Sequence, residues 1–233
     1  MKRIIYIFLL SLLPVAAFAQ ERKVQNKPYI DFRRLHYGFF VGAHVQDMEF
    51  YNNGFITENG EQWFADIPSY NPGFTVGVLA DLRLSNHFSL RALPTLHFGQ
   101  NTIKFRDAKS GLKESQQVKT TYLSLPVHVK FAAERFNNYR PYITAGIAPM
   151  MNLTVKEQRP ILFKKFDTMV EVGFGCDFYL PFFKLIPELK FAFSLVDVLE
   201  KDRKDLLDKN YLKFTDSVDK VVSKMVILSF YFE

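Results

Sequence analysis

The chain has 233 residues, a formal net charge of +6 and a mean hydropathy of −0.05. Acidic and basic residues are interleaved along it, which excludes the basic stripe of a nucleic-acid-binding protein, so no nucleic-acid partner is expected. Its only cysteine, Cys176, excludes an internal disulfide, and no segment after the N-terminal region has the run of roughly 18 apolar residues that a transmembrane helix needs.

Residues 1–19 have the pattern of a signal peptide. Lys2 and Arg3 precede an apolar run, and Ala17-Phe18-Ala19 is a small-x-small cleavage site before Gln20. We therefore expect export and cleavage near Ala19-Gln20. Residues 20–35 are expected to form a polar periplasmic lead-in, and residues 36–233 the folded domain.

The dominant signal after the lead-in is alternation of apolar and polar residues, which places successive side chains on opposite faces of a β-strand. Each alternating segment is close to the roughly 9–11 residues with which a tilted strand crosses a bilayer. In chain order the segments are 36–46, 73–84, 88–100, 121–131, 140–152, 167–180, 185–195 and 226–232. Long connections (47–72, 101–118, 153–166 and 196–222) alternate with shorter ones. This pattern predicts an all-β fold, a closed antiparallel transmembrane β-barrel of about eight strands.

The polar faces of these segments carry charges of both signs. In a narrow barrel we expect such charges to pair inside the lumen while Phe, Val and Leu face lipid. The predicted lumen network comprises Asp81, Arg83, Arg91, His128, Lys130, Glu171, Asp177, Glu188 and Lys190. The alternative is a soluble lipocalin-like carrier with its apolar face inside. The signal peptide, the long loops and the aromatic final strand favour the outer membrane of a Gram-negative cell, with outer-membrane lipid as a partner.

Two of the long loops are candidates for contact with other proteins. The first is richer in aromatic residues than solubility requires, and the last combines a charged run with apolar residues at near-helical spacing. A solvated loop or a short surface helix is the alternative for the last one. The candidate contact residues are Tyr51, Phe55, Trp63, Phe64, Tyr70, Leu206, Leu207 and Tyr211.

The sequence offers no set of catalytic, cofactor-binding or metal-binding residues. The five histidines lack the spacing of a helical metal site, and no glycine-rich phosphate loop is present. Ser124 and His128 share a face, but four residues along a strand separate them by about 13 Å, too far for a nucleophile and its base. We therefore expect a non-enzymatic protein without a cofactor.

Three stretches resemble a known family. They are PGFTVGVLADLRLSNHFSLRALPTLHFGQ over 72–100, YLSLPVHVKF over 122–131 and ERFNNYRPYITAGIAPM over 134–150. Together they resemble the PorT family of Bacteroidetes, outer-membrane barrels associated with the type IX secretion system. The resemblance covers most of the mature chain.

The resemblance implies a non-enzymatic role in the export of proteinases and other cargo across the outer membrane, with other secretion-system proteins as partners. A barrel of about eight strands has an interior filled by side chains and cannot pass a folded protein. An accessory or assembly role is therefore expected. The alternatives are a small lipid-modifying enzyme of the outer membrane and a purely structural barrel.

Overall fold

The structure is a computed structural model that describes residues 24–57, 60–69, 71–108, 111, 113–154, 160–204, 206 and 209–233; the side chains of 66–69 are not described. The predicted signal peptide over 1–19 and its cleavage site lie outside these residues. Within the described part of the chain, no helix combines the length and apolar character needed to cross a membrane.

In the described part of the chain, eleven antiparallel strands make up most of the fold. Three short helical pieces accompany them: a 3-10 turn at Ile30–Phe32, a second 3-10 turn at Lys209–Tyr211 and, directly after it, a helix α1 at Leu212–Asp216. The strands are β1 (Leu35–Asn52), β2 (Trp63–Ser69), β3 (Pro72–Arg83), β4 (Phe88–Ala92), β5 (Thr95–Asp107), β6 (Lys113–Ser124), β7 (Val127–Ala132), β8 (Tyr139–Asn152), β9 (Phe166–Tyr179), β10 (Lys184–Ser194) and β11 (Val218–Phe232).

Strand pairing closes the sheet into a barrel. β1 pairs with both β3 and β11, and the ladder continues from β11 through β10 and β9 to β8. Between β3 and β8 it runs through β4 and β7 at one end and through β5 and β6 at the other. β4 and β5 together therefore occupy one strand position in the ring, and β6 and β7 together occupy another. The prediction of a closed barrel of about eight strands is confirmed, with β2 as an addition outside the ring.

Two prolines explain why two barrel positions are each divided into two strands. Pro94 lies between β4 and β5, and Pro126 lies between β6 and β7. A proline has no N–H to donate to a ladder, so the regular pairing stops there. The pairing resumes through the proline carbonyls, since Val78 N–H donates to Pro94 O at 3.1 Å and Leu93 N–H donates to Pro126 O at 3.0 Å.

The apolar face of the barrel points outward. Phe74 is 52% exposed and Val172 49% exposed, whereas Asp81 and Glu171 on the same strands are 6% and 2% exposed. The sequence-based assignment of the two faces is therefore correct, and the lipocalin-like arrangement is excluded. The exposed Phe, Val, Leu and Ile side chains form a continuous lipid-facing belt around the ring.

The barrel has two unlike rims. The turn rim carries Glu233 and the short connections after β3, β7 and β9, while the loop rim carries the long connections. On the loop rim, β1, β5, β6 and β11 continue well beyond the predicted segments, and β2 and α1 lie within the predicted loops. The expectation that 47–72 and 101–118 are simply loops is therefore wrong in part, because much of both regions is strand, and 196–222 contains α1 and the first residues of β11.

Candidate functional site

The lumen is filled by buried charged and aromatic side chains. At its centre lies Arg91 of β4, which is fully buried. Its Nε lies 2.7 Å from Asp81 on β3, and its Nη1 lies 2.9 Å from Glu188 on β10. The hydroxyls of Tyr142 and Tyr231 also donate to Glu188, at 2.6 and 2.8 Å. This layer joins strands from opposite sides of the barrel.

A second group of charges lies toward the turn rim. Lys130 donates to both carboxylate oxygens of Asp177, at 2.8 and 2.7 Å. Lys184 lies 3.6 Å from Asp177 and 2.9 Å from Glu233. His36 Nδ1 lies 2.5 Å from the other Glu233 oxygen. Lys184 and Glu233 were not among the predicted network residues, because both fall at the ends of strands.

Toward the loop rim, Glu171 of β9 lies between the side chains of His128 and Lys190. His128 Nε2 approaches it to 2.9 Å and Lys190 Nζ to 3.4 Å. Eight of the nine predicted network residues are therefore buried and brought together in the lumen. Arg83 is the exception and corrects that prediction: it lies at the turn rim and donates to the Asp31 carbonyl at 2.6 Å.

A chain of polar side chains crosses the lumen beside this network and was not anticipated from the sequence. His44 Nδ1 lies 2.8 Å from Thr75 Oγ1, which lies 3.1 Å from His97 Nδ1. The other ring nitrogen of His97 lies 3.1 Å from Ser124 Oγ. The two residues lie on the inner faces of their strands, and the β5–β6 register, in which Thr95 is opposite Ser124, brings them together.

The Ser124–His97 pair has the separation of a nucleophile and a base. Its surroundings differ from those of a hydrolase site. The second nitrogen of His97 faces a threonine hydroxyl where an orienting carboxylate would be expected, and His44, Thr75, His97 and Ser124 are all buried. The four side chains satisfy each other's polar groups across the lumen, which is what buried polar groups require.

The lead-in lies across the mouth of the barrel at the turn rim. Asp31 accepts a 2.6 Å hydrogen bond from Tyr179 and lies 3.3 Å from Arg135. The Arg135 guanidinium is 3.6 Å from the centre of the Tyr179 ring. A cavity of about 30 Å³, lined by Asp31, Asp81 and Lys130 among others, is large enough for roughly one water molecule.

The loop rim is closed by a folded element that we call the loop-rim cap. It comprises β2, α1, the extensions of β1, β5, β6 and β11, and the parts of the connections 53–62, 160–165 and 195–206 that the structure describes. Its hydrophobic core is formed by Met48, Trp63, Ala65, Ile103, Phe105, Val118, Ile161, Phe163, Val198, Leu199, Phe214, Val218 and Val221. Glu61 accepts hydrogen bonds from Trp63 Nε1 at 2.8 Å and Lys213 Nζ at 3.1 Å, and these bonds hold the pKa of Glu61 below its ordinary value.

The predicted contact residues fall into different environments within the cap. Tyr51, Phe55 and Phe64 are exposed, whereas Leu206 and Tyr211 are half-buried. Trp63 is 2% exposed and packs edge-on against Phe214, so the prediction that it lies on a contact surface is wrong. Tyr70 and Leu207 lie outside the described residues.

The described residues include no group of three or more His, Cys, Asp or Glu side chains arranged to hold a metal ion. Carboxylates in the lumen face ammonium, guanidinium or phenol groups instead. The lumen is therefore closed by its own side chains, whose opposite charges face each other.

Several solved structures are similar to this chain at low identity. Neisserial surface protein A has 10% identity and a TM-score of 0.43, with 85% of this chain and 98% of that chain covered. OprG from Pseudomonas aeruginosa has 11% identity and a TM-score of 0.43, with 85% and 92% covered. Ail of Yersinia pestis has 12% identity and a TM-score of 0.37, with 86% and 99% covered.

The family assignment comes from the sequence. No match was found among curated proteins. A family model described as outer membrane protein beta-barrel domain matches residues 18–200, which is most of the chain. The matched region includes β1 to β10, the lipid-facing belt and most of the lumen network. The protein is therefore located in the outer membrane, and the chain belongs to the outer membrane protein beta-barrel domain family.

Proposed function

We propose that the protein is a non-enzymatic component of the type IX secretion system that acts as an accessory or assembly factor in the outer membrane. The resemblance of 72–100, 122–131 and 134–150 to the PorT family supports the choice of system. The observation that carries the mode of action is the filled lumen, because a barrel plugged by Arg91, Tyr142 and Glu188 offers cargo no passage.

If the lumen does not transport cargo, the protein acts through its outer surfaces. The loop-rim cap is the largest structured element outside the membrane, and its hydrophobic core holds it in one shape. Tyr51, Phe55 and Ile56 are 47%, 42% and 55% exposed on it. Aromatic residues on a rigid exposed surface are enriched in protein–protein contacts. We assign this group to contact with another secretion-system protein.

The test replaces these three side chains and leaves the cap core intact. A strain lacking the protein is complemented with Tyr51→Ala/Phe55→Ala/Ile56→Ala, and secreted protease activity is measured in the culture supernatant. We expect a loss of secretion while the amount of folded barrel in the outer membrane stays unchanged. Removing residues 198–220 is a poorer test, because it deletes Val198, Leu199, Phe214 and Val218 from the cap core.

Phe182→Ala is the matched control, since Phe182 is 90% exposed at the opposite rim. It should leave secretion unchanged. Normal secretion by the triple variant would defeat the contact surface. Normal secretion by a strain that lacks the protein altogether would defeat the secretion role itself.

A lipid-modifying enzyme is the second candidate, and the observation that favours it is the 3.1 Å approach of Ser124 Oγ to His97. We assign the pair a structural role, because it lies inside the lumen with Thr75 where an acid would be. Ser124→Ala and His97→Gln should leave the lipid composition of the outer membrane unchanged. A changed lipid profile in either variant would restore the enzymatic candidate.

A further inference from the structure

The hairpin formed by β5 and β6 projects beyond the lipid-facing belt, and its two faces differ in character. The inward face contributes Ile103, Phe105 and Val118 to the cap core. The outward face continues directly from Phe98 and Leu123, which are both 42% exposed in the belt. Above them it carries Gln100, Thr102, Lys104, Arg106, Lys113, Ser115, Gln117 and Lys119.

This outward face is strongly basic. Lys104, Arg106, Lys113 and Lys119 are exposed, and none has an ion-pair partner among the described residues. The strand register places Asp66 of β2 opposite Lys104, which leaves a clear excess of positive charge on the face. Glu114, opposite Phe105, is also exposed and lines the groove beside Arg106 and Lys113, so the four cations are offset there by this one carboxylate in addition to Asp66.

Arg106 and Lys113 are directly opposite each other across the hairpin. Like charges at such a position destabilise a sheet, so the pair is unfavourable unless an anion lies against it. An arginine next to a lysine suits a phosphate, because guanidinium forms paired hydrogen bonds with phosphate oxygens while ammonium supplies a point charge. Phe64, opposite Arg106 on β2, adds a partly exposed ring to the same groove.

The position of the cations favours a membrane ligand. At ~3.3 Å per residue, Lys119 lies about 13 Å along its strand from Leu123, and Arg106 about 26 Å along its strand from Phe98. Strand tilt reduces both heights, so Lys119 lies near the level of lipid headgroups and Arg106 lies above it. The lower part of this face therefore contacts acyl chains, and its upper part presents cations to the headgroups above those chains.

We propose that the outward face of the β5–β6 hairpin, with Lys104, Arg106, Lys113 and Lys119, binds the phosphate groups of a glycolipid in the outer leaflet. Acyl chains contact the belt and the phosphorylated sugars extend upward along the basic face. Basic side chains close to an anionic membrane surface each strengthen binding by about fivefold. The inference does not depend on the secretion role.

The test measures glycolipid retention by the full-length barrel in mixed micelles with native mass spectrometry. The probes are rough-type lipopolysaccharide, which carries phosphorylated lipid A and inner core, and the same material after chemical dephosphorylation. Replacing all four cations by Gln should weaken retention of the phosphorylated probe at least tenfold. Retention of the dephosphorylated probe should be unchanged, and the difference should shrink at high salt because the site is exposed.

The matched control replaces four other exposed cations of the loop rim, Lys201, Lys204, Lys209 and Lys220, by Gln. It removes the same charge and should retain the phosphorylated probe like the wild type. Heat-modifiable migration on gels confirms that both variants remain folded barrels.

Five outcomes overturn the proposal. Four of them are unchanged retention in the four-cation variant, an equal loss in the control, an equal loss of the dephosphorylated probe, and competition by inorganic phosphate at concentrations matching the lipid. The fifth is that a poly-glutamate peptide binds more tightly than the phosphorylated probe and depends on the same four cations. This result would mark the face as a site for an acidic protein.

Discussion

Arg91 shows how a single residue can determine the interior of this barrel. Its guanidinium faces Asp81 and Glu188 at hydrogen-bond distance and lies 4.7 Å from the centre of the Tyr142 ring. A buried charge is tolerated only when it is paired, and removing one partner leaves the others uncompensated. Arg91 therefore neutralises two carboxylates that belong to opposite sides of the ring.

We expect Arg91→Met to destabilise the folded barrel by about 3–5 kcal/mol, because it leaves Asp81 and Glu188 buried without their cation. The measurement is urea unfolding in detergent micelles or lipid vesicles. Arg33→Met, at an exposed arginine of the lead-in, should change the free energy of unfolding far less. A loss below about 1 kcal/mol for Arg91→Met would show that the network rearranges around the gap.

The sequence predicts which face of a strand a residue lies on, but not which residue of another strand it contacts. Alternation assigned Asp81, Glu188 and Lys190 to the inner face, because a strand has a strict period of two. It did not predict that Ser124 meets His97, since that depends on the register between strands. Gly146 shows the same limit: a Cβ there would lie 2.0 Å from the Val127 carbonyl oxygen, a close approach that no single strand reveals.

The loop-rim cap is the main element that the sequence analysis did not predict, and the reason is an inversion of polarity along continuous strands. On β5, Phe98 faces lipid and His97 faces the lumen. Further along the same strand, Arg106 faces outward while Phe105 faces inward, into the cap core. Beyond the membrane the outside is water, so the apolar face changes sides. Segments in which the pattern reverses are easily taken for irregular loops.

Trp63 is the only tryptophan of the chain and reports on the packing of the cap. Its ring centre lies 5.0 Å from that of Phe214, which also packs on Phe105. We expect Phe214→Ala to cost about 3–5 kcal/mol of cap stability and to shift Trp63 emission to longer wavelength as water enters. Phe55→Ala, at an exposed position, should leave the emission unchanged. An unshifted spectrum for Phe214→Ala would mean that the two rings are not packed together.

The contact between Trp63 and Glu61 should depend on pH. The hydrogen bonds from Trp63 and Lys213 lower the pKa of Glu61 from 4.5, so they stabilise the cap when Glu61 is ionised. This contribution is present above the unfolded pKa and is lost as the pH falls through the lower, folded pKa. Trp63 emission should therefore stay constant from neutral pH down to 4.5 and change only below that value. Glu61→Gln should remove this change, and an identical acid transition in that variant would assign it to another group.

At the scale of the whole molecule, the barrel is closed at three levels. The lead-in lies across the turn rim, charged and tyrosine side chains fill the middle, and the cap core covers the loop rim. The middle layer is the strongest barrier, since Arg91 of β4 forms an ion pair across the ring with Glu188 of β10 and further ion pairs join neighbouring strands around it.

This arrangement predicts that the protein does not conduct ions, and that loosening either end leaves it closed. In planar lipid bilayers we expect no steady conductance from the wild type, from Asp31→Ala, which loses the contacts of the lead-in to Tyr179 and Arg135, or from Phe214→Ala. A porin inserted under the same conditions provides the positive control. Steady conductance steps from Asp31→Ala alone would place the barrier at the turn rim and make the lead-in a gate. Steps from the wild type would contradict the filled lumen on which the accessory role rests, because a conducting barrel could serve as a channel in its own right.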